Sequence, residues 1–183
     1  YINFIPMFVN AWNSLYPNVD VKIVLVSKSI PPKFAKFEKH IILFDPIDQL
    51  STAFISQYIR ILYPALLPYQ HGILITDIDM IPMNKLYFSK PIEDIKNNKF
   101  ITYRDVLLFK KQIAICYNIA KNVTWQNIFE IYSVEDIIER LKSVFSKITY
   151  KGHGNAGWET DQIHLYQYVM DWNKKTANLV VLS

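Results

Sequence analysis

The chain has 183 residues, 51% apolar, 20% charged and 15% aromatic, with a net charge of +4. That is enough chain for one domain with a sizeable core, and the composition excludes disorder. No apolar run approaches the roughly 18–20 residues of a membrane span, no basic run or nucleic-acid motif appears, and the lone Cys116 excludes an internal disulfide or a thiolate zinc cluster.

The chain opens on "YINFIPMFVNAW", with no starting methionine and no secretory leader. Ile5, Phe8, Val9 and Trp12 share one helical face, which predicts a helix ending before Pro17 and places the first residue inside an element whose beginning is missing. β-branched "VDVKIVLVS" (19–27) predicts a buried strand. Pro31-Pro32 then breaks regular structure, and "HIILF" (40–44) predicts a second strand. Ser51 or Thr52 is expected to cap a helix to about Leu67, with Phe54, Tyr58, Ile61, Leu62 and Ala65 on its inner face and Pro64 kinking or ending its first part.

"GILIT" (72–76), "KFITY" (99–103), "KQIAICY" (111–117) and "NLVVLS" (178–183) predict further strands. "NVTWQNIFEIY" (122–132) predicts a helix, Ser133 with Asp136 a capped helix to about Ile148, and the stretch from Glu159 to Met170 another. Alternating strands and helices point to an α/β fold with a mixed, mainly parallel sheet flanked by helices, in one domain spanning 1–183. The Asn122-Val123-Thr124 sequon reads as a chance occurrence, and the single cysteine agrees with a cytoplasmic setting.

Chemistry concentrates in two places. The strand "GILIT" runs straight into Asp77-Ile78-Asp79. Two carboxylates at a strand tip repel each other, and a divalent cation removes that repulsion. Their hard oxygens suit Mn2+ or Mg2+, which keep positions free for water and phosphate. The second place is "GHGNAGWETDQIHLYQ" (152–167). Its three glycines and Asn155 permit tight turns, Trp158 offers a flat wall for a sugar ring, and Glu159 and Asp161 open a helix.

The stretch 51–86, a capped helix carrying Arg60, a Leu-Pro break, an apolar strand and D-x-D, resembles the nucleotide-sugar glycosyltransferases of the GT-A fold, and within them the glycogenin and lipopolysaccharide galactosyltransferase type. "TDQ" (160–162) is similar to the late aspartate-glutamine step of that family, and "GWETDQI" to the "GGEDDDI" stretch of β-1,4-galactosyltransferases. The resemblance implies a Rossmann-like GT-A domain, part of a longer chain, that moves a sugar from a UDP-sugar donor to a glycan or other hydroxyl acceptor. By it, Asp77 and Asp79 hold the metal on the donor diphosphate, Arg60 and Gln57 lie near the donor with Trp158 and Asn155, and Asp161, with Glu159 second, is the acceptor base of an inverting enzyme. A retaining enzyme needs no such base, and the two resemblances differ on stereochemistry. His153 is the candidate third ligand, although the family's late "HxxGxKPW" is absent; the third ligand otherwise lies outside the chain given. His164 reads as a packed or surface residue, His71 as a loop residue, and Tyr117 and Asn118 as candidate acceptor contacts. The alternatives are a module of the same fold that binds nucleotide sugars without turnover, and a haloacid dehalogenase-type phosphatase, whose late lysine and acidic pair are missing here.

Overall fold

The computed structural model describes residues 1–182. The chain is a mixed α/β protein with two sheets. Its internal contacts divide it into two compact units: Tyr1–Pro46 with Asp77–Ile95, and Ile47–Thr76 with the chain from Lys96 onward.

In the first unit, helix α1 (Ile5–Leu15) buries Ile5, Phe8, Val9 and Trp12, the face that the i, i+3, i+4 spacing predicts, and stops ahead of Pro17. Strands β1 (Ile23–Val26) and β2 (Ile41–Phe44) pair in parallel, with Ile23 opposite Ile41 and Val26 opposite Phe44. The crossover between them is tight 3-10 winding, Pro32–His40, begun at the proline pair because Pro32 lacks the N–H that a strand would need. Phe34, Phe37 and His40 point inward from it, and His40 Nδ1 meets the Val21 carbonyl at 2.9 Å. After Asp79 the chain forms a short helix that sequence periodicity does not reveal, α3 (Lys85–Ser89), capped by Asn84, whose Oδ1 accepts from Leu86 N at 2.8 Å. Phe88 packs its ring 5.0 Å from Trp12, and the Tyr16 hydroxyl donates to the Lys85 carbonyl at 2.5 Å.

The second unit opens with α2 (Thr52–Tyr58), Ser51 standing at its N-cap without a side-chain bond. The expected inner face is fully buried. The α-winding ends six residues ahead of Pro64, and 3-10 turns follow at Ile59–Ile61 and Tyr63–Leu66. A proline at this position clashes with the carbonyl four residues back, that of Arg60, and donates nothing, so the α-ladder has no continuation. Carbonyls at the end of this winding are met by side chains of the later helix: Asn122 Nδ2 donates to Ala65 O at 2.7 Å and to Pro64 O at 3.3 Å, and Gln126 Nε2 to Ala65 O at 3.0 Å.

Strand β3 (Gly72–Ile75), β4 (Phe100–Thr102), β5 (Asn118–Lys121) and β6 (Leu179–Val181) form a four-stranded sheet in the order β3-β5-β4-β6. β5 runs antiparallel to both neighbours, and β4 pairs with β6 in parallel. The sheet is mixed, as expected from element alternation, but it is not mainly parallel, since two of its three pairings are antiparallel, and the stretch 111–117 also departs from the expectation. That stretch is not a strand. The Asn118 side chain, fully buried, donates to the carbonyls of Ala114 (2.8 Å) and Ile115 (2.7 Å), which folds 114–118 back on itself and removes those carbonyls from any ladder. The strand starts only at Asn118 and returns between β3 and β4.

Helix α4 (Asn122–Phe129) follows β5 at once. Helix α5 (Val134–Phe145) begins with the expected cap: Ser133 Oγ accepts from Asp136 N at 3.1 Å, and Asp136 Oδ2 accepts from Ser133 N at 2.9 Å. Helix α6 (Thr160–Thr176) runs a turn and a half beyond its expected end, and Ser183 of the expected last strand lies outside the described residues. Trp125, Phe100, Phe129 and Tyr58 form the centre of this unit's core. Among the described residues no helix is long and apolar enough to cross a membrane.

The reciprocal cap makes α5 a test of local stability. Ser133→Ala removes the acceptor for Asp136 N and is expected to lower unfolding free energy by about 1 kcal/mol. Urea denaturation reads this as a lower midpoint with an unchanged slope.

Candidate functional site

The second unit brings together residues that are far apart in sequence around one carboxylate. Asp161, in the first turn of α6, is 1% exposed. Its Oδ2 accepts from Arg60 Nη2 at 2.6 Å and Nε at 3.1 Å. Its Oδ1 accepts from Gln162 N at 2.9 Å and from Gln57 Nε2 at 3.2 Å. Gln57 and Arg60, three residues apart where α2 gives way to the first 3-10 turn, thus address the same group. Gln57 is itself held: its Nε2 also donates to the Trp158 carbonyl, and its Oε1 accepts from the Tyr150 hydroxyl at 3.2 Å.

Burial pushes the Asp161 carboxyl above its ordinary range, against the pull of the Arg60 guanidinium and the Gln162 and Gln57 amides. Every atom facing it is a donor, so the cage accommodates the ionised, acceptor-only form. This is the group that the sequence reading takes as the acceptor base. Both oxygens are engaged inside the protein and the group is sealed from solvent. Its ion-pair partner Arg60 has a side chain that is 25% exposed.

Glu159 lies on the solvent side of the same helix start, where Gln112 Nε2 donates to its Oε2 at 2.9 Å. With Gly154, Asn155, Trp158 and Ile163 it lines an open depression of about 360 Å³. Gly157 is needed there for two reasons. Its φ of +81° is a left-handed conformation, and a Cβ would sit 2.6 Å from the Thr149 carbonyl. His153 is exposed, its ring edge-on to Trp158 at 4.6 Å, and its carbonyl accepts from Asn155 Nδ2 at 2.9 Å. His71 is exposed before β3.

Sequence reasoning passed over three members of this arrangement: Tyr150, Gln112 and the Tyr58–His164 pair. Nothing in local periodicity marks Tyr150 or Gln112, because their partners lie 93 and 47 residues away. The Tyr58 hydroxyl meets His164 Nδ1 at 2.5 Å. Burial pushes the Tyr58 hydroxyl far up, so it is the donor and His164 the neutral acceptor. Burial, then the charges of Arg140 and Lys147, hold the His164 pKa below 6.5. Asn118, a candidate acceptor contact by sequence, is instead wholly buried and committed to the 114–118 turn.

Asp77 and Asp79 belong to the first unit. They leave the end of β3 in a turn closed by Met80 N donating to the Asp77 carbonyl at 3.1 Å. Asp77 and the intervening Ile78 are half-buried, and Asp79 is exposed. Among the described residues no group of three or more His, Cys, Asp or Glu side chains is placed to hold a metal ion. The two-carboxylate set fits magnesium or manganese by its chemistry, since such ions commonly take one or two protein carboxylates and fill the rest with water and substrate phosphates. No family model, curated protein or solved structure matches this chain.

Removing Arg60 leaves Asp161 buried without its charge partner. Arg60→Ala is expected to destabilise the fold by about 3–5 kcal/mol, whereas Arg60→Met combined with Asp161→Leu restores much of the loss. Equilibrium unfolding of both variants decides this. A second outcome follows from His164. Its folded pKa is depressed, so the unfolded chain binds a proton near pH 6.5 that the native state refuses. Stability is then present above that pH and is lost as pH falls toward the folded value. Melting temperatures measured from about pH 8 down to pH 5 are expected to fall, with a shallower slope in His164→Gln.

Proposed function

We propose that the chain is the catalytic domain of a metal-dependent, hexosyltransferase-type enzyme of GT-A fold, taking a UDP-sugar with Mn2+ or Mg2+ and passing the sugar to a hydroxyl acceptor. The single observation that carries the reading is the D-x-D turn at the end of β3, where an apolar strand with Ile73 and Ile75 buried delivers two oxygen ligands to half-exposed and exposed positions. Asp77 and Asp79 would hold the metal. When bound, that ion supplies Lewis-acid stabilisation of the diphosphate leaving group.

In the second unit the chain's own residues do the positioning. Asp161, Gln57 and Tyr150 hold the Arg60 guanidinium in one orientation, as a planar, permanently charged group suited to anionic oxygen. Trp158 forms a wall of the depression, on which a pyranose ring can rest. Glu159 is the exposed carboxylate there. It takes the acceptor proton if the reaction inverts the anomeric centre, and orients the acceptor if it retains it.

A second reading, nucleotide-sugar binding without turnover, is favoured by one observation: the expected base, Asp161, is locked to Arg60. Titration calorimetry with UDP-sugars, with and without manganese, combined with product analysis on candidate acceptors, separates the two. The glycosyltransferase reading expects manganese-dependent donor binding that weakens on the order of tenfold or more in Asp77→Asn and Asp79→Asn, together with donor turnover. Binding that ignores both substitutions ends the proposal, and binding without turnover leaves the module.

A further inference from the structure

The loop between β4 and β5 presents an anomaly that the proposed transferase site does not absorb. Val106, Leu107, Leu108 and Phe109 are four consecutive apolar residues at a loop tip, where a soluble surface normally carries polar ones. Phe109 is 80% exposed and Val106 48%, with Leu107 and Leu108 half-buried beneath them. Lys110 and Lys111 follow at once, both exposed, and the Lys110 ammonium lies 5.7 Å from the Phe109 ring centre. Arg104, Lys110 and Lys111 outweigh the loop's one acid, Asp105.

The backbone of the tip is closed on itself. Leu108 N donates to Asp105 O, Lys110 N to Leu107 O and Lys111 N to Leu108 O, each at 2.9 Å, and Gln112 N reaches Leu107 O at 3.3 Å. Those internal bonds lower the backbone cost of bringing the turn into a medium of low polarity. The stem is held on both sides. Tyr103 N donates to Tyr117 O at 3.0 Å, Arg104 Nη1 lies 3.4 Å from Cys116 Sγ, and Ile113 N donates to Gln162 O at 3.2 Å. The apolar tip is therefore a fixed feature rather than a floppy excursion.

We propose that this tip docks the protein on an anionic lipid surface, with Phe109 and Val106 entering the headgroup–acyl boundary and Lys110 and Lys111 meeting the acidic headgroups. A protein partner would need a patch of about 800 Å² on this side for a standard interface. A one-turn tip is far smaller than that, yet reaches the roughly 5–10 Å depth at which interfacial segments sit. The lysine pair directly behind the apolar residues matches the charge of such a surface. This is peripheral docking and requires no spanning helix.

The experiment uses the whole chain without nucleotide sugar or metal, so its result is independent of the proposed transfer reaction. Co-sedimentation is measured with extruded vesicles of phosphatidylcholine alone and of phosphatidylcholine with about 30% phosphatidylglycerol. The expected result is binding to the acidic vesicles that exceeds binding to the neutral ones by roughly tenfold. Phe109→Ser is expected to reduce that partition on the order of tenfold, with an unchanged circular dichroism spectrum and melting temperature, since the side chain touches little of the fold. Lys110→Gln with Lys111→Gln removes the preference for acidic lipid. Phe109→Trp retains binding, and the emission it adds over wild type shifts to the blue when acidic vesicles are added. Wild-type protein that stays in the supernatant with both vesicles overturns the proposal. So does Phe109→Ser that sediments like wild type. So does added emission in Phe109→Trp that vesicles do not move, an outcome that points to a protein partner instead.

Discussion

The buried pair of Arg60 and Asp161 is the constraint around which the second unit is arranged. A carboxylate with almost no exposure is tolerated only if its charge is met and its lone pairs are filled. Meeting that demand takes one guanidinium, one side-chain amide and one backbone amide, from segments a hundred residues apart. It ties the α2 segment to the start of α6. It fixes Gln57, which in turn fixes the Trp158 carbonyl and Tyr150. The glycine loop and its depression inherit their position from this pair.

The same pair separates two roles that composition alone would merge. Asp161 and Glu159 are two residues apart at a helix start, where any acid gains from the helix dipole. Burial distinguishes them. Asp161 turns inward onto Arg60 and acts as a positioning group, while Glu159 faces the open depression with Gln112 at its side. In the proposed reaction the buried acid orients the Arg60 guanidinium and the exposed one would meet the acceptor. The tip at Val106–Phe109 springs from the stem that carries Gln112, so the apolar loop and the Glu159 carboxylate share one anchored segment.

Much of the fold was legible because short-range patterns reflect burial directly. The α1 face, the Ser133–Asp136 box and the strands at 23–26, 41–44, 72–75 and 100–102 follow from periodicity, β-branching and capping chemistry. The reading failed where one side chain overrides the pattern. Asn118 takes two backbone carbonyls and turns an apolar run into a loop, whereas the break expected from Pro64 is present. In the site, the D-x-D pair and the Gln57–Arg60 spacing were readable as motifs, whereas Tyr150, Gln112 and the Tyr58–His164 bond were not.

By itself, then, the sequence determined the element types, the buried faces and the residues with chemical potential: Asp77, Asp79, Arg60, Glu159 and Asp161. Those properties depend on residue identity and on neighbours within a turn or a strand. Only the tertiary structure decided which of the acids is sealed, which arginine it holds, that β5 runs back between β3 and β4, and that an apolar tip stands in solvent. Each of those depends on contacts between segments tens of residues apart, where desolvation and partner geometry, rather than local propensity, set the outcome.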